Sequence, residues 1–321
     1  MVAYTVFGVI AALLLIGAGY EWVARRREPS APLEGRLADV GGYRLHLRLA
    51  GAGEPAVVVI AGAGDPSSSW GPVQAEVARF AQILTYDRAG LGRSDDGPPA
   101  SPDRYVTELH ALLGRAGLTG PFVLVGHSFG GLLARLYAAR HPGQIAGMVL
   151  VDPAYEALFD SPQMERVLSV GGGVIRLLSA TSAVGLPRLM GNWFAMAFPE
   201  QRALWPRLTP AERRAWAADI YRTWRGGLLR DFGAVRAVAQ AVRAESDGPP
   251  LAHVELVVLS NGRIQGSAGV EWVRAHAELA AQSARSTHHV SDRNSHMMHW
   301  TQPELVVAAI RQVVDGVRQH S

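Results

Sequence analysis

The stretch that most constrains this chain is the apolar run Phe122–Val125 followed by Gly126-His127-Ser128-Phe129-Gly130-Gly131. Four consecutive apolar residues read as a strand covered on both faces. From Leu132 to Ala139 the pattern changes to that of a helix. The turn between them must be tight, and G-x-S-x-G in that setting is the nucleophile elbow. The glycines on either side of Ser128 let the backbone approach itself, and Gly131 lets the helix pack on the sheet. Such a turn lifts the Ser128 hydroxyl above the sheet at a helix N-terminus, where backbone N–H groups stabilise negative charge. A glycine-rich turn holding a serine by chance would not require a strand before it and a helix after it.

The rest of the chain repeats that alternation. Tyr43–Leu49 alternates with period two, and Val57–Ile60, Ile83–Tyr86, Met148–Val151 and Leu256–Ser260 are strand-like apolar runs. Helical patterns lie around Val73–Phe80, Tyr105–Arg115 and Leu132–Ala139, and Pro303–Val314 closes the chain as an apolar-faced helix. Strand, helix, strand repeated this way predicts an α/β fold with a mostly parallel central sheet flanked by helices. Strand signals vanish between Ala154 and Gly248. There Thr209-Pro210-Ala211-Glu212 is a capping box with proline at the first helical position. The segment holds Trp193, Trp205, Trp216 and Trp224, four of the eight tryptophans, with Phe159, Phe194 and Phe198. We read residues 36–153 and 249–321 as the core and 154–248 as a helical insertion.

Composition excludes several chemistries. All 31 basic residues are arginine, so Schiff-base catalysis and a P-loop are ruled out. There is no cysteine, which removes disulfides, thiol nucleophiles and cysteine-held zinc. A net charge of +3 with interspersed signs gives no reason to expect nucleic acid as a partner. At the N-terminus, Val2–Tyr20 carries no charge and Arg25, Arg26 and Arg27 follow it. As a helix that run would span roughly 28 Å, close to the hydrocarbon thickness of a bilayer. It predicts a single-pass membrane anchor over residues 1–24 and a linker over 25–35, with the arginine side and the domain behind it in the cytoplasm. A cleaved signal peptide and a buried helix are the competing readings of the same run.

With these segments in order, the sequence from about Gly35 onward resembles the α/β-hydrolase superfamily. Ala61-Gly62-Ala63-Gly64 stands where that family usually has His-Gly, and Asp87-Arg88-Ala89-Gly90-Leu91-Gly92-Arg93-Ser94 resembles its loop after the fourth strand. The resemblance implies that the Ala63 and Phe129 N–H groups form an oxyanion hole, and that residues 154–248 are a cap or lid. Because Ala61 replaces the customary histidine, the support beneath that loop must differ. Members with an aspartate nucleophile are disfavoured, since the elbow carries Ser128.

The base is expected near the C-terminus if the order is Ser, acid, His. Of His288, His289, His296 and His299, His296 lies seven residues before Pro303, a spacing that resembles the family's catalytic-histidine loop. His299 is second choice, and His288 and His289 sit in a strand-like pattern where packing or surface roles suit them. These four match no metal-site spacing. The acid stays open. The loop after Leu256–Ser260, the family's usual place, has no carboxylate before Glu271. Asp152, at the end of Met148–Val151, is our first choice to orient His296, ahead of Asp292 and Glu271.

Two other classes compete. Gly62-Ala63-Gly64 after a strand, with Asp87 ending the next, hints at a dinucleotide site, but Ser67 stands where the third glycine belongs. A catalytically inactive ligand-binding protein on the same fold is the second. The expected activity is hydrolysis of carboxylic esters of apolar small molecules, without a cofactor. Acyl transfer and lactone cleavage are alternatives. The aromatic insertion, with Met190 and Met196, is expected to supply an apolar pocket.

Overall fold

The apolar runs become neighbouring strands of one sheet in a computed structural model that describes residues 2–27, 35–186, 188, 199–245, 251–264, 266–293 and 295–320. The strands are β1 (Arg36–Asp39), β2 (Arg44–Ala50), β3 (Ala56–Ile60), β4 (Ile83–Tyr86), β5 (Phe122–His127), β6 (Ile145–Val151), β7 (Glu255–Asn261) and β8 (Ser286–Ser291). Their spatial order is β1-β2-β4-β3-β5-β6-β7-β8. Pairings involving β1 and β2 are antiparallel, and all others are parallel. This is the mostly parallel sheet that the alternating pattern predicts, in the α/β-hydrolase architecture that the resemblance implies.

The helices are α1 (Val2–Arg27), α2 (Gly71–Val77), α3 (Pro102–Ala116), α4 (Phe129–Arg140), α5 (Pro162–Ser182), α6 (Pro199–Leu204), α7 (Pro210–Arg222), α8 (Leu228–Ala244), α9 (Gly266–Ala280), α10 (Met298–Thr301) and α11 (Pro303–His320). Period-two alternation splits the strands between two covered faces. Val57, Val59, Val123, Val125, Val149 and Val151 pack against Val73 and Val77 of α2 and Ile310 and Val314 of α11. Val58, Ile60, Leu124, Met148 and Leu150 point the other way, onto α3, α4 and α8. Burial on both faces is why these strands read as unbroken apolar runs.

Between β6 and β7 the described residues form helices and turns, without a strand. The α7 start is the expected capping box: the Glu212 N–H donates to Thr209 Oγ1 and the Thr209 N–H to the Glu212 carboxylate. Ser161 caps α5 in the same manner, accepting from the Met164 N–H, with Pro162 at the first turn. Trp205 and Trp216 stack edge-on with each other, and Trp216 with Trp300. They form a small core with Leu204 and Leu208. Met190, Trp193, Phe194, Met196 and Phe198, expected to line an apolar pocket, lie outside the described residues, as does most of the linker.

The N-terminal run is one helix, but its expected role as a membrane anchor finds no support. Among the described residues no helix is long and apolar enough to cross a membrane. Two positions of α1, Gly17 and Glu21, pack against protein, while Tyr20, Trp22 and Val23 are exposed. Glu21 is buried and pairs with Arg188 at 2.8 Å, and Gly17 lies against Val184. Leu13–Ile16 stay exposed.

Candidate active site

Each side chain expected to do chemistry sits at the carboxyl end of a parallel strand, where ligands of open α/β sheets bind. Ser128 follows β5, Asp152 follows β6, and His296 lies in the loop after β8. Ser128 adopts φ 50°, ψ −119°, a region a non-glycine residue occupies only under strain. The surroundings hold it there. Its N–H donates to Val151 O (3.2 Å), and its carbonyl accepts from the N–H groups of Gly131 (2.9 Å) and Ala154 (3.0 Å). A Cβ on Gly126 would come within 2.7 Å of Gly130 O, and one on Gly130 would collide with the Ile60 carbonyl. The glycines are therefore demanded by close approach, as the motif implied.

Asp152 is strained as well, with φ 41°, and is completely buried. One oxygen accepts from the Asn261 N–H (2.9 Å) and from Trp272 Nε1 (2.7 Å). The other lies 2.6 Å from His296 Nδ1. A carboxylate oxygen accepts there, so Nδ1 carries the proton, and in the neutral ring the free lone pair is then on Nε2. Through Val151 and Ala154 the turn holding Asp152 is bonded directly to the turn holding Ser128.

The alternatives stand elsewhere. Asp292 is exposed, and Glu271 is an exposed partner of Arg274 at 2.6 Å. His299 is completely buried, stacked on Trp70 at 4.2 Å and 3.1 Å from Asp65. His288 bonds Ser260 Oγ at 2.7 Å, and His289 is exposed. Asp87, the residue a ribose would need, is buried. It accepts from the N–H groups of Ser67 (2.7 Å) and Arg93 (3.1 Å) and faces His46 Nδ1 at 2.9 Å. It is an internal staple for its own loop.

Three residues close to the site were not legible in the sequence. His127 Nε2 donates to the His296 carbonyl (3.0 Å), and the two rings lie 4.8 Å apart. Burial, then the neighbouring His299 and His296, hold His127 well below the usual histidine range. His276 donates from Nε2 to the Pro153 carbonyl (2.8 Å) and accepts at Nδ1 from Ser260 (2.7 Å). Burial brings its pKa down to about 4, against the opposing effect of Asp152. Trp272 and His276 are four apart on α9, a spacing that places them on one face.

Asp65, His127 and His299 offer one donor atom each within 4.8 Å of one another. Donor atoms on one zinc ion stand no more than about 4.2 Å apart, twice a bond of about 2.1 Å, so a site there would require the side chains to draw together. A groove of about 780 Å³ lined by Pro72, Glu76, Pro303, Val307 and Arg311 contains none of Ser128, Asp152 and His296.

The Ala61–Gly64 loop runs beside the elbow: a Cβ on Gly62 would lie 2.8 Å from His127 Nδ1 and 3.5 Å from Ser128 Cβ. Within that loop Gly64 N–H donates to Asp231 and Asp65 N–H to Gly62 O. The Ala63 N–H has no acceptor among the described residues. Phe129 is the first residue of α4, and its N–H is one of those that no helical carbonyl takes.

The sequence pattern described as the alpha/beta hydrolase family matches residues 57–309. This chain belongs to that family. The lipase LipV of Mycobacterium tuberculosis is 40% identical over 111 residues, covering 34% of this α/β-hydrolase and 42% of LipV. The chain therefore spans less than half the length of that relative. Among solved structures, an esterase of Thermogutta terrifontis superposes with TM-score 0.61 at 21% identity, covering 88% of this chain and 98% of the esterase. The epoxide hydrolase CorEH gives TM-score 0.64 at 17% identity, over 88% of this chain and 99% of the other. At such identities these two likenesses establish the shared fold alone.

Proposed function

We propose that this α/β-hydrolase is a serine hydrolase that cleaves carboxylic esters of apolar small molecules through an acyl-enzyme. The observation that carries the reading is the 2.6 Å contact of His296 Nδ1 with buried Asp152, beside a serine held in a strained elbow. His296 Nε2 takes the Ser128 proton as Oγ attacks the ester carbonyl carbon. The N–H groups of Ala63 and Phe129 receive the oxyanion, and Asp152 offsets the imidazolium charge. Collapse returns that proton to the departing alkoxide and leaves the acyl group on Ser128. Water, deprotonated by His296, then attacks the acyl carbon, and collapse breaks the bond to Ser128 Oγ, which takes the proton back from His296 as the acid leaves.

Apolar substrates suit the surroundings. Leu228 of α8 packs against Gly64, and Trp272 with Tyr155 flanks the acid. A panel of p-nitrophenyl esters of increasing chain length tests the reading. Turnover is expected to rise from acetyl to medium chains and to fall by several orders of magnitude in Ser128→Ala, whose fold should be intact. Ester turnover by Ser128→Ala close to that of the native chain would sink it.

The same reading includes attachment to a membrane through the exposed Leu13–Ile16 segment. Co-sedimentation with lipid vesicles, lost on deleting residues 1–28, is the expected result. Equal sedimentation of both forms would remove this part.

A further inference from the structure

Ala61 offers no side chain to brace the oxyanion loop, yet the loop is braced. Arg88, almost wholly buried, donates from Nη1 to the Ala61 carbonyl (2.7 Å) and from Nη2 to the Gly62 carbonyl (2.5 Å). Its guanidinium also lies 5.6 Å from the centre of the Phe129 ring, the residue beside the nucleophile. Asp231 of α8 anchors it, with Oδ2 2.5 Å from Nη2. The same carboxylate accepts from the Gly64 N–H (3.0 Å) and the Tyr105 hydroxyl (2.8 Å). A carboxylate from the cap segment thus reaches under a core loop, 143 positions away from its arginine in sequence.

The placement has a specific electronic consequence. The Gly62 carbonyl and the Ala63 N–H are two ends of one peptide group. A cation donating to the carbonyl end draws electron density away from the N–H end and makes it a stronger donor. Burial keeps water from screening that pull. Asp231 meanwhile takes the Gly64 N–H, so of these two neighbouring N–H groups only that of Ala63 is left for an incoming oxyanion.

Resting on the serine-hydrolase reading, we propose that Arg88 and Asp231 are positioning residues of the oxyanion hole: Arg88 fixes and polarises the Gly62–Ala63 peptide, and Asp231 makes that peptide depend on the cap. The bland alternative is a buried ion pair that only stabilises the fold. The two differ in what they do to tetrahedral, negatively charged species.

The test is steady-state kinetics on p-nitrophenyl butyrate together with inhibition by an alkyl boronic acid, whose anionic adduct with Ser128 occupies the oxyanion hole. Arg88→Met is expected to lower kcat about 10²–10³-fold with KM changed less than about threefold, and to weaken boronate binding by a matching factor. Asp231→Asn keeps an acceptor for the Gly64 N–H but releases Arg88, with an expected loss of about tenfold in both readouts. Arg135→Met breaks a similarly buried pair with Glu156 (2.7 Å) away from the loop. It should lower Tm as much while leaving kcat and boronate affinity within about threefold. If Arg88→Met does not fold, Arg88→Lys carries the test. Its ammonium cannot reproduce the planar two-carbonyl fork, so about a tenfold parallel loss is expected.

Kcat and boronate affinity near native values in the folded Arg88 variants, with Ser128→Ala inactive, would overturn the positioning role and leave the serine reading standing. A loss of kcat without the matching loss of boronate affinity would overturn it too. Ester turnover surviving in Ser128→Ala would instead strike the underlying reading.

Discussion

The aspartate–histidine pairs Asp152–His296 and Asp65–His299 lie near the end of the same sheet, and their difference bears on which of them suits chemistry. Asp152 and His296 approach to 2.6 Å with hydrogen-bond geometry, and the His296 side chain is 42% exposed. Asp65 and His299 stand 3.1 Å apart, and the His299 side chain is 0% exposed. Neither His299 nitrogen makes a hydrogen bond among the described residues, and its ring is stacked on Trp70. Both pairs put an imidazole beside a carboxylate. Of the two, His296 combines a nitrogen oriented by its acid with a partly exposed ring. Pairing is common in a protein interior, whereas pairing with one open face is what a general base requires.

Mutating the two pairs in parallel tests the contrast. The largest expected effect is on His296→Ala, with kcat for ester turnover falling about 10⁵–10⁶-fold. His299→Ala should keep kcat within about tenfold and show its cost in Tm, since it empties a buried stacked site. The reverse ranking would transfer the base to His299.

Asp152→Asn comes next, with an expected loss of about 10⁴-fold in kcat, because the amide can stabilise the wrong imidazole tautomer and cannot offset the imidazolium charge. Asp65→Asn should stay within about tenfold of native kcat. Thermal unfolding of both must show an intact fold, since Asp152 sits at a left-handed backbone position just before Pro153. Should Asp292→Asn or Glu271→Gln prove more damaging than Asp152→Asn, the oriented pair would not be the working one.

A smaller effect concerns acid stability beneath the open pair. Burial lowers His276 to about 4, so between pH 6.5 and 4 the unfolded chain binds a proton that the folded chain refuses. Stability contributed by neutral His276 is complete above about pH 6.5 and is lost as pH falls toward 4, worth about 3 kcal/mol at about 1.4 kcal/mol per pH unit. His127, also held low by burial, acts in the same direction. Chemical denaturation of His276→Gln at pH 7 and pH 4.5 should show a shallower pH dependence than the native chain, with a residue from His127. An unchanged slope would mean that the His276 ring is open to water.

What the sequence made legible was local. The elbow at Ser128 and the capping box at Thr209 depend on residues a few positions apart, and both formed as read. Apolar runs announced β3 to β7 because both sheet faces are covered. β1 escaped notice because it is four residues long with mostly exposed positions. α9 escaped because its buried face is built largely from Gly269, Ala275, His276, Leu279 and Ala280, a pattern with few large apolar residues. The apolar run of α1 suggested lipid, and nothing local announced that Arg188 would meet Glu21. Asp231 could not be found at all: its meaning lies in Arg88, Gly64 and Tyr105, which only folding brings to it.

A serine nucleophile forms a covalent adduct with a fluorophosphonate, which peptide mass spectrometry locates. One adduct per chain is expected, on Ser128, with loss of ester turnover in proportion to labelling and no adduct in Ser128→Ala. A chain that still turns over ester when fully labelled, or one that carries the adduct on another residue, would contradict the serine-nucleophile reading.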